Sequence, residues 1–516
     1  MQTSGVLIGG EWRTGDGGPL RSFNPAHPAD QVFDGREASA GQIVAAVGAA
    51  RAAFLPWARM GFDKRAAILR RFASIAIARV DELARVIQSE TGKTTWDSKA
   101  EAQLIGAKVE ITLEQGPQFP HAALNRVTPF DLPLGGTKIG RCSFRPHGVM
   151  AVVGPFNFPA HLPNGHIVPA LLMGNTVIFK PSDKTPAVGA LLAELFDEAL
   201  RETGGPKGVM NLIQGGGAVA SALVAAASDI DGVLFTGSWS VGRRIMEANL
   251  DRPGRILALE MGGNNAATIM ADADLVQAVV ECVRCAFITS GQRCTCTRRV
   301  LVQRAVADRV IPAIVRATQE LAVGDPASTT PVFMGPLISE QAAAMVLDAQ
   351  DAMSKGGANV LLPCRRLSDS SGGWYVSPGV VRVEAFDTAS DFSESPGADV
   401  EVFGPLLRIM VVEDLAEAIR VTNATRFGLA ASIFAKDADA VARFSTEVRA
   451  GCINVNTGTA GASSKLPFGG LGLSGNHRPA GAFSLDYSAY PVAGMIESGD
   501  AKTLSPGMKF DASWVA

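Results

Sequence analysis

Along this chain the apolar residues change period several times, and each change predicts a different element. From 36 to 115 they recur at helical spacing, in Ala45–Phe54, Arg65–Ala78 and Asp81–Ile87. Between 125 and 146, Pro129, Pro133, Gly135 and Gly136 break up short mixed runs, as in a hairpin leaving the main body. From Val149 to Glu260 five short apolar runs read as strands: Val149–Val153, Thr176–Phe179, Val209–Ile213, Gly232–Phe235 and Ile256–Leu259. Helical patterns lie between them, at His166–Leu172, Val188–Arg201, Ala218–Ala227 and Val241–Asn249. Such alternation predicts a parallel α/β sheet. A second α/β stretch follows over 261–455, with helices at Leu275–Ile288 and Val306–Leu321 and a strand at Arg299–Val302. The tail has strand-like fragments around Asp486–Val492 and then becomes polar.

Open parallel sheets bind ligands beyond the C-terminal ends of their strands. Those five ends carry Gly-Pro-Phe-Asn (154–157), Lys-Pro-Ser-Asp (180–183), Gln-Gly-Gly-Gly (214–217), Thr-Gly-Ser (236–238) and Glu-Met-Gly-Gly (260–263). Polar and glycine residues thus collect at the predicted ligand edge.

Composition narrows the class. At 516 residues and 47% hydrophobic, the chain exceeds one ordinary domain. Its 47 basic and 50 acidic residues leave a formal charge of −3, which offers no nucleic-acid footprint and no polybasic membrane patch. The start, MQTSGVLIGGEW, lacks a basic n-region, and no run reaches the ~18 unbroken apolar residues of a spanning helix. Seven cysteines, an odd number, fit a cytoplasmic protein with free thiols better than a disulfide framework.

The candidate chemistry starts at Cys294, in Ser-Gly-Gln-Arg-Cys-Thr-Cys, where a glycine turn and an arginine can expose and stabilise a thiolate. Taken alone it can equally be a buried free thiol. Cys282, Cys285, Cys294 and Cys296 together could hold zinc, making a non-catalytic structural protein the alternative of a different class. Against zinc, Cys282 and Cys285 lie in an apolar helical pattern and the CxC is tight, so no metal is assigned. Glu260, at a strand end, can serve as a general base or as a cap. Asn157 can donate to an oxyanion or sit in a turn. Gly237 to Gly242 opens a helix with the glycines of a phosphate site but does not match GxGxxG. None of the six histidines takes a role.

Eight segments in order carry a resemblance: GPFNFP (154–159), GNTVIFKPSD (174–183), FTGSWSVG (235–242), LEMGGNN (259–265), GQRCTC (291–296), EVFGPLL (401–407), FGLAASIF (427–434) and PFGGLGLSG (467–475). The chain resembles the aldehyde dehydrogenase superfamily over nearly its whole length. Through HLPNGHIVPALLMGNTVIFKPSD, LEMGGNN, TSGQRCTCTRR and SGNHRP (474–479), it is most similar to the N-succinylglutamate 5-semialdehyde dehydrogenases of arginine breakdown. The resemblance implies an α/β fold with three parts. A Rossmann-type nucleotide-binding domain covers 1–124 and 147–260, and an α/β catalytic domain covers 261–455. A β bridging and oligomerisation arm covers 125–146 and 480–500, leaving 501–516 as a tail.

It implies Cys294 as nucleophile, Glu260 as general base, and Asn157 with the Cys294 N–H as oxyanion donors. It places Lys180 and Asp183 on the adenosine ribose, and Gly237, Ser238, Val241 and Gly242 on the pyrophosphate. Glu401 and Phe403 fall on the nicotinamide ribose and ring. NAD is the expected cofactor, because a carboxylate at 183 repels the extra phosphate of NADP, although Asp183 is one methylene shorter than the glutamate of many relatives; NADP stays open. The expected substrate is an anionic semialdehyde, with Arg293, Arg478 and Phe468 as contacts, since guanidinium matches carboxylate bidentately. Another semialdehyde dehydrogenase of the superfamily is the nearer alternative, because Asn454–Thr459 lacks the tryptophan and lysine-proline pattern of the succinylglutamate branch. Homodimers or homotetramers are implied, with a small-molecule aldehyde as partner and neither nucleic acid nor membrane.

Overall fold

The computed structural model describes residues 5–225, 229–368, 371–497 and 504–516. The ends of two expectations, residues 226–227 of the helix at 218–227 and 498–500 of the arm, lie outside them, as do 501–503 of the tail.

All five strands expected between 149 and 260 form. They are Val149–Val153, Thr176–Lys180, Met210–Leu212, Gly232–Gly237 and Ile256–Met261, paired in parallel. Across the sheet they run 256–261, 232–237, 149–153, 176–180, 210–212. The order reverses between Val149–Val153 and Gly232–Gly237, which opens a crevice at their C-terminal ends. The N-terminal strands Val6–Ile8 and Glu11–Arg13 extend this sheet antiparallel, beyond Met210–Leu212. Local pattern could not show this, because Leu7 pairs with Leu212, a residue remote in sequence.

The helices Ala40–Arg59, Phe62–Ala78, Val80–Thr91 and Thr95–Leu113 pack around this sheet with His161–Met173 and Pro186–Glu202. Ser39 caps the first in a capping box with Gln42. No single helix among the described residues is long and apolar enough to cross a membrane.

A second sheet has the order 359–362, 379–382, 406–412, 297–303, 265–269, 430–434, 452–455, parallel except at its first strand. Its helix Leu275–Phe287 starts from an Asp274 cap and buries Cys282 and Cys285 in the core. The excursion at 130–146 is the hairpin Phe130–Gly135 and Lys138–Pro146, and Ala489–Glu497 adds a third antiparallel strand. Phe130, Leu132, Leu134 and Tyr490 of this sheet are exposed. The chemistry lies between the C-terminal edge of the first parallel sheet, at Glu260, and the N-terminal edge of the second, where Asn265 and Thr297 begin their strands beside Cys294.

Candidate active site

Cys294 follows a turn that ordinary residues avoid. After the helix Leu275–Phe287, Thr289 and Ser290 both have φ of 54° and Gly291 has φ of 74°. Only glycine fits at 291, where a Cβ would collide with the Gly404 carbonyl. The two side chains before it are tied to distant segments. Thr289 Oγ1 donates to Asp97 Oδ2 at 2.5 Å, and Ser290 Oγ donates to the Gly335 carbonyl at 2.8 Å.

Three residues then grip the loop from outside. Asn265 Nδ2 donates to the carbonyls of Cys294 and Cys296, each at 2.8 Å, while its Oδ1 accepts from Ala430 N. Arg298 donates to the carbonyls of Gly291 (3.1 Å), Arg293 (2.9 Å) and Val402 (2.6 Å). Asn157 Nδ2 donates to the Gln292 carbonyl at 2.9 Å. An amide nitrogen carries two hydrogens, so Asn157 is fixed beside the cysteine loop with one donor to spare. Sequence reasoning singled out Asn157 but passed over Asn265 and Arg298. The available signal for Arg298 was two arginines inside the otherwise apolar run TRRVLV.

The Cys294 thiol is half-buried, and its pKa is pushed up to about 12. Burial is the main cause, then the carboxylates of Glu401 and Glu260; Arg298 opposes them. The thiol is therefore protonated near neutral pH, and a positive charge placed beside it would favour the thiolate.

Glu260 ends the strand Ile256–Met261 and is 4% exposed. Burial raises its pKa well above the usual carboxylate range, against a hydrogen bond from Ala480 N. Its Oε2 is buried without a hydrogen-bond partner. A carboxylate desolvated in this way is poised to take a proton from a water molecule. The return segment 467–480 closes over it: Gly475 bridges to Glu260, and Asn476 pairs with the backbone of Leu257 and Leu259. Phe468 pairs with Ala480, next to Gly469, whose Cα faces the Glu260 carboxylate.

Of the two arginines expected at the substrate, Arg293 has partners within the fold. Arg293 is already engaged: it pairs with Asp97 at 2.7 Å, donates to Thr289 Oγ1 at 2.7 Å and stacks 4.8 Å from the Phe158 ring centre. It braces the turn before Cys294. Arg478 lies between Asn476, which pairs with the backbone of Leu257 and Leu259, and Ala480, whose N–H reaches Glu260. Its charge acts on His147, at the N-terminal edge of the sheet.

The crevice of the first sheet fits a dinucleotide. Lys180 is buried at the end of its strand, and burial lowers its ammonium pKa to about 8, against the pull of Asp183 and Glu37. Ser238 precedes the helix Trp239–Glu247 with no side-chain cap, leaving the first backbone N–H groups for an anion. Gly237 and Gly242 are required by packing, since a Cβ at either would collide with Phe235 or Met261; Val241 is exposed on the first turn. Nearer the cysteine, Glu401 accepts from Gly263 N at 3.0 Å and lies 3.6 Å from Arg298. It presses on Gly262, where a Cβ has no room. Phe403 meets Phe156 edge-on, with centroids 5.9 Å apart. The crevice thus offers a cation and carboxylate at one end, free N–H groups in the middle, and a carboxylate and ring at the cysteine end.

Residues 12–490 match the profile of the Aldehyde dehydrogenase family. The chain is 42% identical over 505 residues to the N-succinylglutamate 5-semialdehyde dehydrogenase of Caulobacter sp. (strain K31), covering 97% of this chain and 98% of that one. It is 44% identical to N-succinylglutamate 5-semialdehyde dehydrogenase 1 of Caulobacter vibrioides, over 91% and 94% of the two chains. Among solved structures, the NAD-dependent aldehyde dehydrogenase of Sinorhizobium meliloti superposes with a TM-score of 0.87 at 29% identity, over 96% of this chain and 95% of that one.

Proposed function

Since the chain belongs to the aldehyde dehydrogenase family, we propose that it oxidises N-succinylglutamate 5-semialdehyde to the carboxylic acid with NAD, in arginine catabolism, through a thioester on Cys294. The substrate rests on the relatives of that name, at 41–44% identity over 91–97% of the chain. The chemistry rests chiefly on one observation: a reachable thiol on a rigidly held loop lies within electrostatic range of a buried carboxylate with an unpartnered oxygen.

In this scheme the Cys294 thiol gives its proton to solvent, the resulting thiolate adds to the aldehyde carbon, and the carbonyl oxygen takes the negative charge. The spare Asn157 donor and the Cys294 N–H hold that oxyanion. NAD, when bound, supplies the acceptor for the hydride that leaves the carbon, and Cys294 is left as a thioester. Glu260 then takes a proton from water; the hydroxide adds to the thioester carbon, and the carbon–sulfur bond breaks to free the acid and the thiolate. Lys180 and Asp183 would hold the adenosine ribose; Ser238 and the helix start behind Gly237, Val241 and Gly242 the pyrophosphate; Glu401 and Phe403 the nicotinamide end. Phe468 stays our candidate for the substrate wall.

We read the Rossmann sheet with its helices, the second sheet, and the three-stranded sheet as nucleotide-binding, catalytic and bridging units. The exposed apolar side chains of the last support assembly as a homodimer or homotetramer. Seven free cysteines support a reducing, cytoplasmic location.

Steady-state and burst kinetics test the scheme. Cys294→Ala should lower NADH formation at least about 10⁴-fold. Glu260→Gln should keep a stoichiometric NADH burst while acid release becomes slow. Succinylglutamate semialdehyde should exceed neutral aldehydes of the same length by about tenfold or more in kcat/KM; equal efficiency would overturn the substrate assignment.

A further inference from the structure

A carboxylate outside every motif reaches the same edge of the first sheet. Glu37 precedes the helix Ala40–Arg59 and is half-buried. Its backbone is tied on both sides: Gly17 N donates to its carbonyl and its own N–H donates to the Gly18 carbonyl, each at 2.8 Å. The side chain leans over the loop after Met210–Leu212, where Oε1 accepts from Gly216 N at 2.8 Å. A Cβ at Gly216 would lie 3.4 Å from Glu37 Oε1 and 4.0 Å from Asp183 Oδ2. Two carboxylates from distant parts of the chain thus close on one side of a single glycine. Both act on the same buried ammonium, Lys180.

Building on the reading that places the adenosine ribose at Lys180 and Asp183, we propose that Glu37 is a second specificity-determining carboxylate there, acting with Asp183 to reject a ribose 2′-phosphate. A 2′-hydroxyl can donate to either carboxylate. A 2′-phosphate carries close to two negative charges and no donor that two acceptors could share, so it meets repulsion from both. Asp183 is a short carboxylate, and Glu37, arriving from another element, adds a second negative charge on the same side of Gly216. Lys180 offsets one negative charge, so the second makes the pocket net anionic.

A plain capping role for Glu37, at the start of the helix Gly217–Ala225, predicts something different. Glu37→Gln keeps an oxygen for Gly216 N and removes only the charge. Calorimetric titration of the cofactor-free enzyme with 5′-AMP and with 2′,5′-ADP reads the two apart, at fixed ionic strength. The ratio of their affinities should move toward 2′,5′-ADP by about tenfold in Glu37→Gln and further in Glu37→Gln/Asp183→Asn. The NADP/NAD ratio of kcat/KM should follow. Lys180→Met reports on the underlying placement and should weaken 5′-AMP. If it does and Glu37→Gln leaves the ratio unchanged, Glu37 is only a cap and the proposal falls. If Lys180→Met leaves 5′-AMP binding unchanged, the ribose placement falls and takes the proposal with it.

Discussion

In the first sheet the strand Val149–Val153 is apolar throughout and its neighbour Thr176–Lys180 is apolar between its two ends, and Val149, Met150, Ala151, Val152, Ile178 and Phe179 are fully buried. In the second, Arg299 and Arg408 stand opposite each other on adjacent central strands, each 1% exposed. Like charges so placed repel. They are tolerated because every direction is filled. Arg299 donates to the carbonyls of Asn264, Val421 and Thr422; Arg408 donates to the carbonyls of Ala398 and Val400 and to Asn264 Oδ1. The Phe386 ring lies 5.4 Å from both guanidinium carbons. Asp399, buried nearby, accepts from Asn264 Nδ2 at 2.9 Å. Burial lowers the two arginine pKa values, to about 10 for Arg299 and about 9 for Arg408.

The difference follows from what each sheet must hold. A dinucleotide can be received by backbone groups and a few residues at strand ends, so the five parallel strands of the first sheet carry charge only toward their ends, at Lys180 and Glu260. The nucleophile must be held as a particular loop. Arg299 and Arg408 hold Asn264, its neighbour Asn265 holds Cys294, and Arg298 holds the turn before it.

Substitutions can break that contrast. Arg299→Met takes a donor from three buried carbonyls, of which Val421 keeps a bond from Ala424 N, and leaves Asp399 less compensated; it should cost about 3–5 kcal/mol in urea unfolding, with loss of activity. A cost below about 1 kcal/mol would mean that the second sheet also rests on apolar packing alone. Next is the Cys294 thiol. Its raised pKa means that, without cofactor, only a small thiolate fraction exists at neutral pH. That fraction grows as pH rises, so iodoacetamide labelling, followed by peptide mapping, should increase about tenfold per pH unit from 7 to 9. A plateau in that range would show that the loop stabilises the thiolate unaided. Smallest is Ile178→Val in the first sheet, about 1 kcal/mol with unchanged activity, as for removal of one buried methylene.

The same contrast decides what could be read from the sequence. The five strands of the first sheet announced themselves because apolar runs alternate with helical patterns, and the strand ends showed where Lys180, Asp183 and Gly237 would gather. Cys294, Glu260 and Asn157 were found through motifs, and the structure brings all three to one place. Asn265 was inside a quoted motif yet had no visible task, because that task is a hydrogen bond to a carbonyl of the Cys294 loop. Glu37 and Asp97 reach the site from more than 100 residues away, and nothing in their own neighbourhoods marks them. Arg293 meets the same limit: its charge suggested a substrate anchor, and its partner Asp97 lies 196 positions earlier.

The left-handed passage through Thr289, Ser290 and Gly291 cannot sustain itself. Non-glycine residues in that conformation each cost on the order of 1–3 kcal/mol, and they persist only while the surroundings enforce them. Here the enforcing groups are Asp97, Gly335 and Gly404, from three separate stretches of chain. The elbow can therefore close only after those stretches have docked, and it is free to relax as soon as one of them loosens. A chain with both sheets intact and this elbow open would keep its secondary structure and do no chemistry. Under gentle heating or low denaturant, catalytic competence should vanish first, while the bulk of the molecule is still folded.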